Sequence, residues 1–450
     1  MSEDLQTVVD RVRERVAPTD EERDRLERTA EELIIRTQAA IADCPVDADV
    51  IRVGSTARDT WLRGDRDIDI FVRFPTTLER TELEEYGLKV GRTVLPEGRL
   101  EYAEHPYVTA EFDGYSIDLV PCFAVETGAE GRSAVDRTPF HAEYVSERLT
   151  PDLATDVRVF KRFLEAIGIY GSDLRTRGFS GYLTELLVLE YGDVISVLQA
   201  AAAWQPPVTI DPEDHGDRSF EDPLIVIDPT DPSRNVAAVV TDASVARLQH
   251  HARRLLESPT VDQFDVSAVE PISTDELSAH IERRRTIPMA ILAPAPDVVD
   301  DQLYPQLRRT RDGIVDALEA RGFAVLRAEV FARDRMLLYL DLATAELPGI
   351  ERHVGPPVHV QEHASAFLER WEDAATYGPF IEGNRYVVER EREFTSASSF
   401  LRSDALLDAR LGADLANTIA SDRTVLVGEQ VLDLLPTFGN ELAAFYDPSP

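Results

Sequence analysis

The run Val50-Ile51-Arg52-Val53-Gly54-Ser55-Thr56-Ala57-Arg58-Asp59, followed by Arg66-Asp67-Ile68-Asp69-Ile70-Phe71, decides how this chain is read. Residues 50–53 form a short β-branched run that ends at a glycine, the pattern of a strand meeting a turn. Ser55 is placed to cap a helix starting at Thr56 or Ala57. A helix start offers unpaired N–H groups and partial positive charge, which suits a phosphate. Arg58, three residues past Ser55, points toward the same anion. A second strand is expected over residues 68–74. Alternation along it puts Asp67 and Asp69 on one face, with Ile68 and Ile70 on the other. Neighbouring carboxylates repel unless a cation sits between them. Hard oxygen ligands on a rigid strand suit Mg²⁺, which fills its remaining positions with water and substrate phosphate. A Gly-Ser pair alone is an ordinary turn, and Asp-Ile-Asp alone is commonplace in an acidic chain. Together, in strand–turn–helix–strand order, they point to a triphosphate at Gly54-Ser55 and metal at Asp67 and Asp69.

A two-metal phosphoryl-transfer site draws ligands from more than one strand. Asp113-Gly114 is a strong hairpin signal between residues 107–112 and 115–120. In the returning segment Ile117 and Leu119 share one face, and Ser116, Asp118 and Val120 the other. If that segment pairs beside residues 68–74, Asp118 is the third carboxylate. The alternative is a solvent-facing Asp on an amphipathic strand. Lys161 also stands out, because it and Lys89 are the only lysines in the chain. Its ammonium suits a triphosphate as a point charge, and the alternative is a snorkelling surface lysine. His141 is mostly neutral at pH 7, a donor or acceptor. Tyr170 is placed either to contact a nucleotide or to lie in the core with a satisfied hydroxyl.

Gly-Ser followed by D-x-D and a later lone Asp resembles the nucleotidyltransferase superfamily of polymerase β. Three longer strings narrow this. Gly54 through Leu62, Arg137-Thr138-Pro139-Phe140-His141, and Ile169-Tyr170-Gly171 through Arg177-Gly178-Phe179-Ser180-Gly181-Tyr182-Leu183 resemble the archaeal, class I tRNA CCA-adding enzyme family. The resemblance covers nearly the full length. It implies Asp67, Asp69 and Asp118 as catalytic metal ligands, with Mg²⁺ as the ion. It implies Ser55, Arg58, His141, Lys161 and Tyr170 as nucleotide-binding residues, and Arg234 against the incoming base. The implied substrates are tRNA, CTP and ATP, and the implied assembly is a homodimer. The family often carries Glu at the position of Asp67; Asp keeps the oxygen ligand and shortens its reach by a methylene. Two alternatives stay open: a poly(A)- or oligoadenylate-type synthase of the same superfamily, or a non-catalytic RNA-binding protein retaining the fold.

The chain has 450 residues, enough for several domains with substantial cores. Its two cysteines, Cys44 and Cys122, suit a reducing compartment rather than a disulfide scaffold. No apolar run approaches a membrane span, and the acidic start Met1-Ser2-Glu3-Asp4 is unlike a signal peptide, so a soluble, cytoplasmic protein is expected. The net charge is −36 at pH 7. A tRNA-binding protein is normally basic. Work in concentrated salt, as in a halophile, reconciles the two, because salt screens self-repulsion and an acidic surface stays solvated there. The rival reading is that no nucleic acid binds. Arg283-Arg284-Arg285 and Arg308-Arg309-Thr310-Arg311 are basic clusters that either grip tRNA phosphates or neutralise nearby acids.

The expected fold is α+β and multi-domain. A catalytic head spans residues 1–141, opening with helices over 2–16 and 20–43 and holding a palm-like sheet. A central, largely helical domain spans 142–272, with an apolar stretch at 179–204 whose residues 200–203 should be buried. A body of residues 273–342 and 398–450 begins with strand, helix, strand, strand, half of a ferredoxin-like or RNA-recognition-like unit. An inserted tail spans 343–397, with the pattern broken over 348–357.

Overall fold

The computed structural model describes residues 4–102, 104–266, 268–374 and 377–450. They divide into two compact units, Met1–Ser267 together with Pro450, and Ala268–Ser449.

The first unit opens with α1 (Leu5–Val16) and α2 (Asp20–Ala42). Residues 2 and 3 of the expected first helix, and the start Met1 to Glu3, lie outside the described residues. Thr19 and Glu22 close a capping box, each side chain answering the other's backbone N–H. Then come β1 (Asp49–Val53), a single turn of helix α3 (Gly54–Ala57), β2 (Asp67–Pro75) and α4 (Arg80–Val94). Strands β3 (Arg99–Tyr102), β4 (Pro106–Phe112) and β5 (Tyr115–Ala124) follow. The sheet order is β1-β2-β5-β4-β3, with β2 and β5 parallel and the other pairs antiparallel. Asp113 and Gly114 both take positive φ in the two-residue turn between β4 and β5, as an Asp-Gly hairpin requires. One sheet face buries Ile68, Ile70, Val72, Ile117 and Leu119 together with Leu33 and Leu83 of α2 and α4. The other carries Asp67, Asp69 and Asp118 and, further along, Phe71, Val120 and Cys122.

The chain continues with α5 (Thr138–Arg148), α6 (Pro151–Ala166), α7 (Gly181–Tyr191) and α8 (Val194–Ala203). Gly192 in the left-handed region ends α7, and Asp193 caps α8, so the apolar stretch bends instead of running on as one helix. Residues 200–203 depart from expectation: Ala201 is buried, but Ala203 is exposed at the helix end. Strands β6 (Val208–Ile210), β7 (Leu224–Asp228) and β8 (Asp231–Asn235) form a small sheet, and α9 (Asp242–Glu257) closes the unit. Val8, Val9, Val12 and Val16 of α1 join this second core beside Phe160, Phe163 and Phe264. The first helix, expected in the head, therefore packs with the central helices.

The second unit begins with α10 (Thr274–Arg284), β9 (Ile287–Pro294), α11 (Asp300–Ala320), β10 (Ala324–Ala332) and β11 (Arg335–Thr344). Next come β12 (Ile350–Pro357), α12 (Gln361–Trp371), β13 (Tyr377–Glu382) and β14 (Arg385–Glu391). The unit ends with α13 (Ala397–Arg402), α14 (Ala413–Ser421), β15 (Thr424–Val427) and α15 (Leu435–Tyr446). The larger sheet runs β10-β11-β9-β15, all antiparallel. The fourth strand, β15, returns from near the end of the chain and completes the four-stranded arrangement. Helices α11 and α14 cover one face; Phe438, Leu442, Phe445 and Tyr446 of α15 cover the other, over Leu337 and Tyr339. Residues 350–357, expected to break the pattern, form a strand at the edge of the smaller sheet β12-β14-β13, with its prolines at the end of the strand where the register is irregular.

Candidate active site

Parallel pairing of β2 with β5 sets Asp69 directly opposite Asp118, with Asp67 two residues earlier on the same face. Asp69 is mostly buried. Burial, then the charges of Asp118 and Asp67, pushes its carboxyl up to about 6. Asp118 is also raised, first by burial and further by Asp67, against a hydrogen bond with Thr109 on β4. Like charges packed at one sheet position raise each other in this way. Among the described residues no three His, Cys, Asp or Glu side chains are gathered closely enough to hold an ion as they stand. The three carboxylates are thus neighbours by register and by mutual repulsion, not a formed cage. As donors they fit a hard divalent cation: all are carboxylate oxygens, and a cation relieves the repulsion that helps raise Asp69 and Asp118.

Gly54 lies against this group. Its φ is +76°, and a Cβ there would stand 2.0 Å from Asp69 Oδ2. The Gly-Ser turn and the D-x-D strand are therefore in direct contact. The expectation of a Ser55-capped helix is corrected: α3 is one turn long, starts at Gly54 and has Val53 at its cap without a side-chain bond. Ser55 sits inside that turn, and its carbonyl accepts from the N–H groups of Arg58 and Thr60.

Arg58 does not project freely toward an anion. It is bidentate to Glu185 of α7, with Nη2 at 2.9 Å and Nε at 3.1 Å, and this carboxylate is fully buried. Thr60 Oγ1 donates to Glu185 at 2.6 Å. Lys161 of α6 is buried, and its Nζ donates to the Thr60 carbonyl at 2.9 Å. Burial lowers the Lys161 pKa, against the pull of Glu185. Tyr170 lies close by: a Cβ on Gly181 would meet its hydroxyl at 3.2 Å and Lys161 Nζ at 3.9 Å. Arg58, Lys161 and Tyr170 thus gather around Glu185, which connects the loop after α3 to the start of α7. Arg58 also bears on Asp69, whose pKa its charge lowers.

His141, on α5, is apart from that cluster. Its Nε2 bonds Asp228 Oδ2 at 2.9 Å and its ring stacks on Tyr182 at 4.1 Å between centroids. Burial holds the imidazole below its usual pKa. Arg234 Nη1 reaches the same Asp228 oxygen at 2.6 Å. Burial alone would raise Asp228, but its hydrogen bonds to His141 and Thr230 and the Arg234 guanidinium hold it well below the ordinary carboxylate range. His141, Ser180, Tyr182 and Arg234 help line a cavity of about 720 Å³, which the three carboxylates do not line. Sequence reasoning missed Glu185 and Asp228. Each had a signal: a single acid set in an apolar run, Leu183-Thr184-Glu185-Leu186-Leu187 and Leu224-Ile225-Val226-Ile227-Asp228.

A five-stranded sheet with in-register aspartates beside a Gly-Ser turn, followed by a helical domain, defines a nucleotidyltransferase. The nucleotidyltransferase domain family matches residues 37–141. Residues 155–265 match the second domain of tRNA nucleotidyltransferase, and 284–428 the C-terminal domain of the CCA-adding enzyme. The chain belongs to the CCA-adding enzyme family. It is 53% identical to the CCA-adding enzyme of Haloarcula marismortui, with 100% of each chain covered. The enzymes of Halorubrum lacusprofundi (54%, 100% of each chain) and Halobacterium salinarum (55%, 99% of each chain) are similar to it as well. Among solved structures, a Cid1 poly(U) polymerase aligns with 58% of this chain and 98% of its own at a TM-score of 0.46 and 13% identity. Among the described residues no single helix is long and apolar enough to cross a membrane.

Proposed function

We propose that this chain adds C, C and A in turn to the 3′ end of tRNA from CTP and ATP, releasing pyrophosphate at each step. The reading rests on full-length similarity to CCA-adding enzymes, and the observation that carries its chemistry is the pairing of Asp69 with Asp118 across parallel strands. Asp67, Asp69 and Asp118 would hold Mg²⁺. Such an ion would supply Lewis acidity for the 3′-hydroxyl and positive charge for the leaving pyrophosphate. The 3′-oxygen forms its bond to the α-phosphorus as the bond to pyrophosphate breaks. Gly54, without a Cβ, lets Asp69 approach the turn where the triphosphate lies. Ser55, Arg58, Lys161 and Tyr170 hold the triphosphate, with Arg58 and Lys161 offsetting its charge and Glu185 fixing where Arg58 can reach. His141 and Arg234 form the wall that the nucleoside meets.

The head, central, body and tail divisions at 141/142, 272/273, 342/343 and 397/398 belong to the same reading, as do a cytoplasmic, halophilic setting and a homodimer. Sedimentation of the full chain in concentrated KCl tests the dimer. The activity is tested by supplying each NTP singly and in pairs to tRNA that lacks its terminal trinucleotide. Addition of C twice and then A is expected. Long A tracts would indicate a poly(A)-type enzyme instead.

A further inference from the structure

We propose that Asp228 is a positioning residue for nucleotide selection: it holds Arg234 and His141 in fixed orientations in the cavity wall, so that the guanidinium meets the incoming base in one geometry. The inference rests on the reading above, in which that cavity takes the nucleoside.

Asp228 is the last residue of β7 and is fully buried. A buried carboxylate persists only when its lone pairs are satisfied. Its two oxygens divide their partners. Oδ1 is tied down by its own turn, accepting from Thr230 N at 2.9 Å and Thr230 Oγ1 at 2.8 Å, and from Tyr182 OH at 3.3 Å. Those bonds set the plane of the carboxylate. Oδ2 is then presented to the two cavity residues, Arg234 at 2.6 Å and His141 at 2.9 Å. The Tyr182 ring, stacked on His141 with 16° between planes, fixes the imidazole from its face.

Asp228 is closed to solvent, while the Arg234 side chain is 35% exposed and lines the cavity. Guanidinium donors lie in a rigid planar fork, so anchoring one N–H determines where the others point. Cytosine and adenine carry an unprotonated ring nitrogen on the base-pairing edge, beside an amino group. Uracil and guanine carry an N–H at the corresponding ring position. A donor held in place there finds an acceptor in C and A and another donor in U and G. Discrimination of this kind needs a donor that cannot turn away, because an unmatched polar group rejects only where it is fixed. Asp228 supplies that rigidity without touching the nucleotide.

The test is single-turnover incorporation by the full chain with Asp228→Asn, comparing CTP with UTP at the first position and ATP with GTP at the last. Asn at this place keeps the size of the side chain but faces Arg234 or His141 with an amide N–H. The expected result is a fall of about tenfold or more in the C-over-U and A-over-G ratios of kcat/KM. At saturating CTP the rate should change far less, since the metal-binding carboxylates are untouched. Unchanged ratios, or one equal loss for all four nucleotides, would overturn the inference. The acting partner is checked in an Arg234→Ala background, where Asp228→Asn should remove no further selectivity; additive losses count against the proposal. Should Asp228→Asn melt at the assay temperature, Thr230→Val removes one bond to Oδ1 and should lower the ratios less, in the same direction. No fall with that variant would also overturn it. Wild-type protein is the control: failure to add C, C, A removes the proposed function itself, whereas correct addition with unchanged mutant ratios removes only the role of Asp228.

Discussion

Asp69 carries the conflict on which the site depends. Burial and two neighbouring carboxylates push its pKa from 3.8 to about 6. The folded state therefore favours its protonated form more than the unfolded chain does. That advantage is complete below about pH 4 and is lost as pH rises through about 6. In EDTA, Asp69→Asn should therefore stabilise the protein at pH 7, by up to about 3 kcal/mol, with the gain vanishing near pH 4. Melting curves across that pH range, each with and without Mg²⁺, measure it. Mg²⁺ should raise the melting temperature of the wild type more than that of the variant. A variant less stable than wild type in EDTA at pH 7 would mean that the carboxylate is not opposed by its neighbours. Gly54→Ala tests the same spot by shape. The new methyl would collide with Asp69 Oδ2 and hold a strained positive φ. Incorporation should fall by about a hundredfold or more, with the circular dichroism spectrum unchanged.

Helix α7 links the catalytic sheet to the central domain through one acid. Glu185 is fully buried and takes both Arg58 and Thr60, so Glu185→Ala leaves a guanidinium buried without its counter-charge. Breaking such a pair costs about 3–5 kcal/mol. Urea unfolding should show a loss of that order, and KM for CTP should rise because Arg58 is no longer held at the turn. A stable variant with unchanged KM would show Glu185 to be incidental. What pairs with these acids was not legible from the sequence: the partners of Glu185 lie more than a hundred residues away, and those of Asp228 come from other segments or from a turn that forms only on folding. The strands that carry the three aspartates were legible because their signals are local: Gly at the end of β1, alternation along β2, Asp-Gly before β5. Strands β3 and β15 have only four residues each, too few for alternation to register. The β12 edge was hidden by its prolines, which argue against a strand only in the middle of a sheet. The cap expected at Ser55 falls instead at Val53, two residues earlier, where Gly54 packs against Asp69.

A chain of net charge −36 that acts on a polyanion must manage its own field. The Debye length falls from about 10 Å at 0.1 M salt to about 3 Å at 1 M. Self-repulsion across the surface and repulsion of tRNA both weaken over that interval. For an ordinary basic protein, nucleic-acid affinity falls as salt rises. Here the expectation is reversed: from about 0.1 M to about 2 M KCl, melting temperature should climb and KM for tRNA should drop. Thermal melts and steady-state kinetics in a KCl series check both. A KM that rises steadily from low salt would place tRNA binding on a basic surface of the usual kind.

The central claim is that a carboxylate from each of two parallel strands serves one metal site. The most direct measurement is single-turnover CMP incorporation into tRNA lacking its terminal trinucleotide, at saturating Mg²⁺ and KCl, by wild type and Asp118→Ala, with tRNA affinity measured alongside. The account predicts a rate lower by about a thousandfold or more with tRNA binding within about twofold of wild type. Incorporation within about tenfold of wild type would contradict it.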